Sequence, residues 1–136
     1  MVKFLDLSSQ YLSIKSDIDD AIGKVIEKSA YIGGEFVERF EHEFARYTGA
    51  ACCVGVGNGT DAIEIALEAL SLPLGSEVIV PANSFIASSE AVGRAGHKVV
   101  FADVDPVSYT LDLMDVKRKI TPSTRAVIAV HLYGHP

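Results

Sequence analysis

The first fifty residues carry apolar positions at helical spacing, which predicts two amphipathic helices. In the first, six apolar residues fall on one side of a helix and charged residues on the other: Ile14, Ile18, Ala21, Ile22, Val25 and Ile26. A break at Tyr31-Ile32-Gly33-Gly34 precedes a second such set: Phe36, Val37, Phe40, Phe44, Ala45 and Tyr47. Gly49 can end this helix, because glycine adopts the left-handed C-cap conformation without strain. Residues 1–50 are therefore predicted to form an N-terminal helical segment.

From residue 51 the pattern changes to short apolar runs separated by helical stretches. The predicted strands are ACCVGV, EVIVPA, KVVFADV and RAVIAVH, and the helices between them are TDAIEIALEAL, SFIASSEAVGRAG and LMDVKRK. A turn at Asp105-Pro106 precedes the last helix, for which Asp112 is the predicted N-cap. Near-continuous apolar strands alternating with helices indicate the α/β class, with a mostly parallel sheet covered by helices on both faces.

Composition and charge narrow the classes of function. With 136 residues of which 49% are hydrophobic, the chain can bury a real core, which argues against disorder. A net charge of -6 without a basic cluster argues against nucleic acid as a partner. Asp6 interrupts the N-terminal apolar residues, unlike a signal peptide, and no apolar run reaches a membrane-spanning length. A cytoplasmic protein with no membrane partner is expected.

The cysteines and histidines do not predict a metal site. Cys52 and Cys53 are adjacent, so on a strand they would point to opposite faces and could not share a metal or form a disulfide easily. We expect them to be ordinary buried cysteines. The four histidines have no partner at a known zinc spacing: His42, His97, His131 and His135.

The loop Gly55-Val56-Gly57-Asn58-Gly59-Thr60-Asp61 is the first candidate site, because ligands of open α/β sheets bind beyond the carboxyl ends of strands. Glycines let the backbone approach an anion, and the free N–H groups of a helix start favour phosphate; Thr60 is expected at the N-cap position. One alternative is a turn that is glycine-rich for packing alone. Another is a nicotinamide site, but Thr60 replaces its third glycine and the second strand ends in Pro81-Ala82-Asn83 without a carboxylate.

Two aromatic residues also follow predicted strands. Phe85 lies beside the expected crevice and could stack on a flat cofactor, although a core phenylalanine is the more common case. Tyr133 lies in the last loop and could be an ordinary surface residue. Asp103 and Asp105 could form an acid–base pair, but a turn-forming aspartate before proline explains Asp105.

Several blocks of the sequence together resemble one family. The strings YIGGEFVERFEHEFARYTG, VGVGNGTDAIEIALEALSLPLGSEVIVPANSFIASSEAV, VVFADVDPVSYTLD and ITPSTRAVIAVHLYGHP resemble the DegT-type family of pyridoxal-phosphate aminotransferases, which act on nucleotide-linked keto-sugars. The resemblance covers essentially the whole chain. It implies the aspartate-aminotransferase (type I) fold, of which residues 51–136 would be the first half of the cofactor-binding large domain, with about four strands.

The resemblance also implies roles for individual residues. Gly59, Thr60 and Asp61 would contribute to the phosphate cup of pyridoxal 5′-phosphate, and Phe85 would stack on its ring. Tyr31 and Tyr133 would lie near the sugar-binding entrance. The lysine that carries the cofactor in the family, and the aspartate that pairs with the ring nitrogen, match no residue of this sequence. We therefore expect these 136 residues alone not to transaminate.

For the parent protein, the resemblance implies transfer of an amino group from glutamate to a keto-sugar nucleotide by a homodimer. Its first strand would pair outside the present strands, which predicts an unpaired edge. Two alternatives stay open. Some relatives are sugar dehydratases with histidine in place of the lysine, and a chain without the lysine could be a non-catalytic binding module.

Overall fold

The computed structural model describes residues 4–136, which divide between Gly55 and Val56 into two compact units. The first unit is helical, as the apolar spacing predicts, and Gly49 ends its last helix in the left-handed conformation with a φ of 73°. Its helices are α1 (Leu7–Ser13), α2 (Lys15–Glu27) and α3 (Glu35–Thr48).

The apolar sides of the helices in this first unit are largely exposed. Ala45 is the one buried residue among residues 4–55. On α3, Phe40 and Phe44 stack with ring centroids 5.6 Å apart, yet both rings remain open to solvent. The spacing therefore predicts α2 and α3 but not α1, and within this unit the helices do not enclose a core.

The second unit is an α/β structure built on a parallel sheet, which confirms the predicted class. The strand order is β2-β1-β3, with both ladders parallel, so β1 is the central strand. A 3-10 turn at Leu132–Gly134 follows the last strand. In chain order its elements are α4 (Gly59–Ala69), β1 (Glu77–Pro81), α5 (Ala87–Arg94), β2 (Lys98–Ala102), α6 (Leu113–Lys119) and β3 (Thr124–Val127).

Helices cover both faces of this sheet. Val78 and Val80 of β1 pack on one face against Leu67 of α4 and Val92 of α5. On the opposite face, Ile79 packs in a second cluster with Ala102 of β2 and Val116 of α6. Successive residues of β1 are therefore buried on alternate sides, which explains its continuous apolar sequence.

The prediction of about four strands was wrong by one, because residues 51–56 lie outside any strand. A strand needs a hydrogen-bonded neighbour, and none of the three strands of the sheet pairs with residues 51–56. Cys52 is correspondingly exposed and Cys53 only partly buried, so the expectation of buried cysteines was also wrong.

The last strand is shorter than the sequence indicates, and a proline accounts for its end. β3 stops at Val127 rather than at His131, although the N–H of Ile128 still donates to the carbonyl of Ile79 at 2.8 Å. The next rung of this parallel ladder needs a donor from residue 81 to the carbonyl of Ile128. Pro81 has no N–H, so the pairing of β1 with β3 ends there.

Two predicted turn and cap residues are confirmed. The Asp112 side chain accepts a hydrogen bond from the N–H of Met114 at 2.8 Å and caps α6. Asp105 accepts from the N–H groups of Val107 and Ser108 at 2.9 and 2.8 Å, which forms the expected turn before α6.

Candidate functional site

A cavity of about 560 Å³ lies at the carboxyl ends of β1 and β3, on the side where an open α/β sheet binds ligands. It joins the start of α4, the start of α5 and the segment that follows β3. Three of the predicted cofactor-binding residues, Gly59, Thr60 and Phe85, therefore line one space. Its walls are Gly59, Thr60, Ile63, Phe85, Ala87, Ser88, Ile128, Ala129, Val130 and His131.

Asn58, rather than Thr60, caps the start of α4. The backbone of Asn58 is extended, and its Oδ1 accepts from the N–H of Asp61 at 3.0 Å, whereas Thr60 already lies inside the first turn. The expectation that Thr60 occupies the N-cap was therefore wrong. The Thr60 residue instead contributes to the cavity wall. Asparagine is at least as good a cap as threonine, so the helix starts two residues earlier than expected.

The backbone at this helix start offers hydrogen-bond donors to the cavity. The N–H of Ala62 bonds the carbonyl of Asn58, and that of Asp61 bonds the Asn58 side chain. Among residues 4–136, the N–H groups of Gly59 and Thr60 donate no hydrogen bond. Two such donors at the positive end of an eleven-residue helix suit an anion such as phosphate.

Phe85 is not a core residue. Its side chain is 77% exposed although it lies next to the buried start of α5, and it faces the same cavity as Gly59 and Thr60. The alternative of a core phenylalanine is thereby excluded. A large exposed ring beside hydrogen-bond donors that suit an anion can cover one face of a flat aromatic ligand.

Asp61 does not line the cavity, and its carboxylate is held from two sides. Oδ2 accepts from Nδ2 of Asn58 at 2.9 Å, and Oδ1 lies 3.7 Å from Nη2 of Arg94 on α5. A Cβ at position 57 would lie 2.8 Å from Oδ2, so Gly57 leaves room for this arrangement. Nε of Arg94 also pairs with Glu64 at 2.8 Å. The sequence did not indicate Arg94, because the pairing joins two helices.

The two tyrosines predicted at the sugar entrance lie in different units. Tyr31 is an exposed residue of the first unit, in the turn between α2 and α3. Tyr133 is exposed in the 3-10 turn with a φ of 58°, outside the walls of the 560 Å³ cavity. Its ring meets that of Tyr109 edge to face, with centroids 6.1 Å apart, beside a second cavity of about 390 Å³. Sequence patterns gave no indication of Tyr109.

Asp103 and Asp105 do not form an acid–base pair. Asp103 accepts from the N–H of Val104 at 2.8 Å, and backbone N–H groups, first that of Ser108, lower the pKa of Asp105. Nearby, hydrogen bonds from Lys119 and then from the N–H of Asp103 lower the pKa of Asp115 to about 2. These carboxylates stabilise the end of β2 and the start of α6.

Two further classes of feature do not occur in residues 4–136. No group of three or more histidine, cysteine, aspartate or glutamate side chains is arranged to hold a metal ion. None of the helices in this range is both long and apolar enough to cross a bilayer.

Comparison with known proteins identifies a family. Residues 12–136 match the DegT/DnrJ/EryC1/StrS aminotransferase family. A dTDP-3-amino-3,6-dideoxy-alpha-D-galactopyranose transaminase from Aneurinibacillus thermoaerophilus is 41% identical over 134 residues, which are 98% of this chain and 37% of that protein. The chain thus spans little more than a third of the length of the curated relatives it matches.

Solved structures of similar proteins have the same fold. S. venezuelae DesV in complex with a ketimine intermediate superposes with a TM-score of 0.94 at 43% identity, covering 99% of this chain and 36% of DesV. E. coli GDP-4-keto-6-deoxy-D-mannose-3-dehydratase with bound hydrated PLP gives a TM-score of 0.77 at 31% identity, covering 85% of this chain and 31% of the dehydratase.

Proposed function

Because the chain belongs to the DegT/DnrJ/EryC1/StrS aminotransferase family, we propose that it contributes the phosphate- and ring-binding wall of a pyridoxal-phosphate sugar aminotransferase. The second unit has the parallel α/β arrangement of the type I pyridoxal-phosphate fold. The proposed reaction of the whole protein transfers an amino group from glutamate to a nucleotide-linked keto-sugar.

The observation that carries this proposal is the shared cavity of Gly59, Thr60 and Phe85. The N–H groups of Gly59 and Thr60 would donate to the cofactor phosphate, and the Thr60 hydroxyl would add a third donor. The Phe85 ring would cover one face of the pyridine. Asp61 would act on this cup through Asn58, whose side chain it holds. When bound, the cofactor supplies an electron sink for the bonds that break at the amino-bearing carbon.

Substrate recognition is proposed for Tyr31 and Tyr133. Both side chains are exposed, as residues that meet a sugar nucleotide must be. The positive φ of Tyr133 supports a role beyond packing, because such backbone strain in a bulky residue is uncommon and tends to occur at functional sites. We further propose that the whole protein is a homodimer. The exposed apolar sides of α2 and α3 support this proposal, since such surfaces are normally covered by a partner.

The proposed reaction is tested by following the nitrogen atom that glutamate would transfer. Glutamate with isotopically labelled nitrogen is incubated with pyridoxal 5′-phosphate, a dTDP- or UDP-linked keto-sugar and the purified whole protein. The proposal expects the label in an amino-sugar nucleotide, detected by mass spectrometry. A product that has lost water and carries no label would support the dehydratase alternative and overturn the aminotransferase.

A matched pair of variants tests whether Phe85 contributes to cofactor binding. Phe85→Ala removes the proposed ring contact and is expected to weaken cofactor binding, measured by calorimetric titration. Phe101→Ala serves as the control, since Phe101 is an exposed phenylalanine of the same unit that does not line the cavity. Equal losses in both variants would contradict the proposed role of Phe85. Residues 1–136 alone are expected to bind without transaminating.

A further inference from the structure

Arg94 is the cation that faces the carboxylates at the start of α4. It lies in the last turn of α5, and its guanidinium spans Asp61 and Glu64, which are three residues apart and therefore on the same side of α4. The Nε–Oε2 distance to Glu64 is 2.8 Å, and the Nη2–Oδ1 distance to Asp61 is 3.7 Å. One positive charge thus opposes two negative charges.

These carboxylates would otherwise oppose the binding of an anion. Asp61 is in the first turn of α4, where Gly59 and Thr60 present their free N–H groups to the cavity. The helix dipole stabilises a carboxylate at this position. The carboxylate in turn reduces the positive potential that would attract a phosphate. Without Arg94, two uncompensated negative charges would lie within the first two turns.

The same residue also joins the two helices that form the cavity. α4 contributes Gly59 and Thr60, whereas Phe85 comes directly before α5. The Arg94 pairing connects the far end of α5 to the start of α4, and Leu67 and Val92 pack between these helices. The carboxylate of Asp61 in turn fixes the Asn58 cap.

We propose that Arg94 is a positioning residue of the phosphate cup, which lowers the negative charge at the start of α4 and so favours a phosphate-bearing cofactor over its phosphate-free form. This inference rests on the proposed function. Arg94 itself lies outside the walls of the cavity, so it acts through Asp61 and Asn58 and not by touching the ligand.

The experiment compares pyridoxamine 5′-phosphate with pyridoxamine by isothermal titration of the purified protein. These amines need no lysine for attachment, and they differ only in the phosphate. Arg94→Gln is expected to weaken binding of the phosphate form by about fivefold, because the ion pairs are partly exposed, and to leave binding of pyridoxamine unchanged. The loss should shrink at high salt.

Two further variants define the cause. Arg118→Gln makes the same charge change on α6, where Asp115 keeps Lys119 as a partner, and is expected to preserve the preference for phosphate. Adding Asp61→Asn to Arg94→Gln removes the uncompensated charge and should restore most of the lost affinity. Asp61→Asn alone keeps an oxygen that can accept from Nδ2 of Asn58 but removes the negative charge, so it should strengthen phosphate binding. This variant tests the proposal even if Arg94→Gln does not fold.

The outcomes separate this inference from the proposed function. If the unaltered protein binds both amines equally or neither, both the proposed cofactor site and the role of Arg94 are overturned. If the protein prefers the phosphate form and Arg94→Gln keeps that preference, or weakens both amines equally, the role of Arg94 alone is overturned. Unchanged preference in Asp61→Asn would overturn it as well.

Discussion

Ile79 of the second unit and Ile22 of the first both occupy positions that the sequence pattern assigns to an apolar face, but only one of them is buried. Ile79 has no exposed surface, whereas Ile22 is 54% exposed. In the second unit, the central strand has neighbours on both sides and helices on both faces. Apolar periodicity therefore predicts an element and its apolar side, whereas burial depends on a separate partner for that side.

The largest effect is expected from the same substitution made in each unit. Ile79→Ala should reduce the free energy of unfolding by about 2–5 kcal/mol, because it leaves a cavity between β1 and α6. Ile22→Ala should change it by less than about 1 kcal/mol, since its side chain is largely solvated and alanine favours the helix. Urea unfolding measures both variants. Equal losses would show that α2 has a partner that covers Ile22.

The caps provide a second contrast of intermediate size. Asn58→Ala should destabilise the second unit by about 1 kcal/mol, because α4 loses its cap and the N–H of Asp61 loses its acceptor. In the first unit, Ile14 is the N-cap of α2 and its side chain makes no cap, so Ile14→Asn has no cap to lose and should stabilise slightly. Thermal unfolding followed by circular dichroism compares the two. A neutral Asn58→Ala would contradict the assigned cap.

The smallest effect concerns two carboxylates whose pKa values are both lowered. In the second unit, Lys119 and the N–H of Asp103 lower the pKa of Asp115 to about 2, and in the first, Lys15 and Tyr11 lower that of Asp19. The Asp115 side chain is 7% exposed and that of Asp19 is 47% exposed. Added salt should therefore raise the pKa of Asp19 towards its ordinary value and change that of Asp115 less, as carbon NMR titration can measure.

The sign of the resulting pH dependence follows from the direction of the shift. Because the pKa of Asp115 is lower in the folded state, its ionised form contributes stability that is fully present above an unfolded pKa of about 4. That contribution is lost as the pH falls from about 4 to about 2. Asp115→Asn should remove this part of the acid sensitivity, and an unchanged acid profile would contradict it.

Local patterns predicted most of the fold. The strand at Glu77–Pro81 and the cap at Asp112 depend on neighbouring residues, and both were found where expected. The region 51–56 has the apolar composition of a strand, but strand formation requires a paired neighbour that composition does not specify. Asn58 and Thr60 are both residue types that can cap a helix. Asn58 is the cap because its backbone is extended, which the sequence does not specify.

The candidate site was predicted in part. Gly59, Thr60 and Phe85 follow strands or start helices, and the structure brings them to one cavity. Arg94 and Tyr109 were missed because their contacts join residues that are distant in the sequence. Apolar periodicity does not predict contacts between side chains on different helices or loops, so these pairs are found only in the folded structure.

Pro81 sets the point at which the pairing of β1 with β3 ends, before the segments that line the cavity. Because this residue cannot donate the next hydrogen bond to β3, the ladder between the two strands ends here and does not hold the segments that follow them. Phe85 after β1 and Ala129 to His131 after β3 line the cavity from these unpaired segments. The absence of one N–H group thus marks the boundary between the paired sheet and the segments that could contact a ligand.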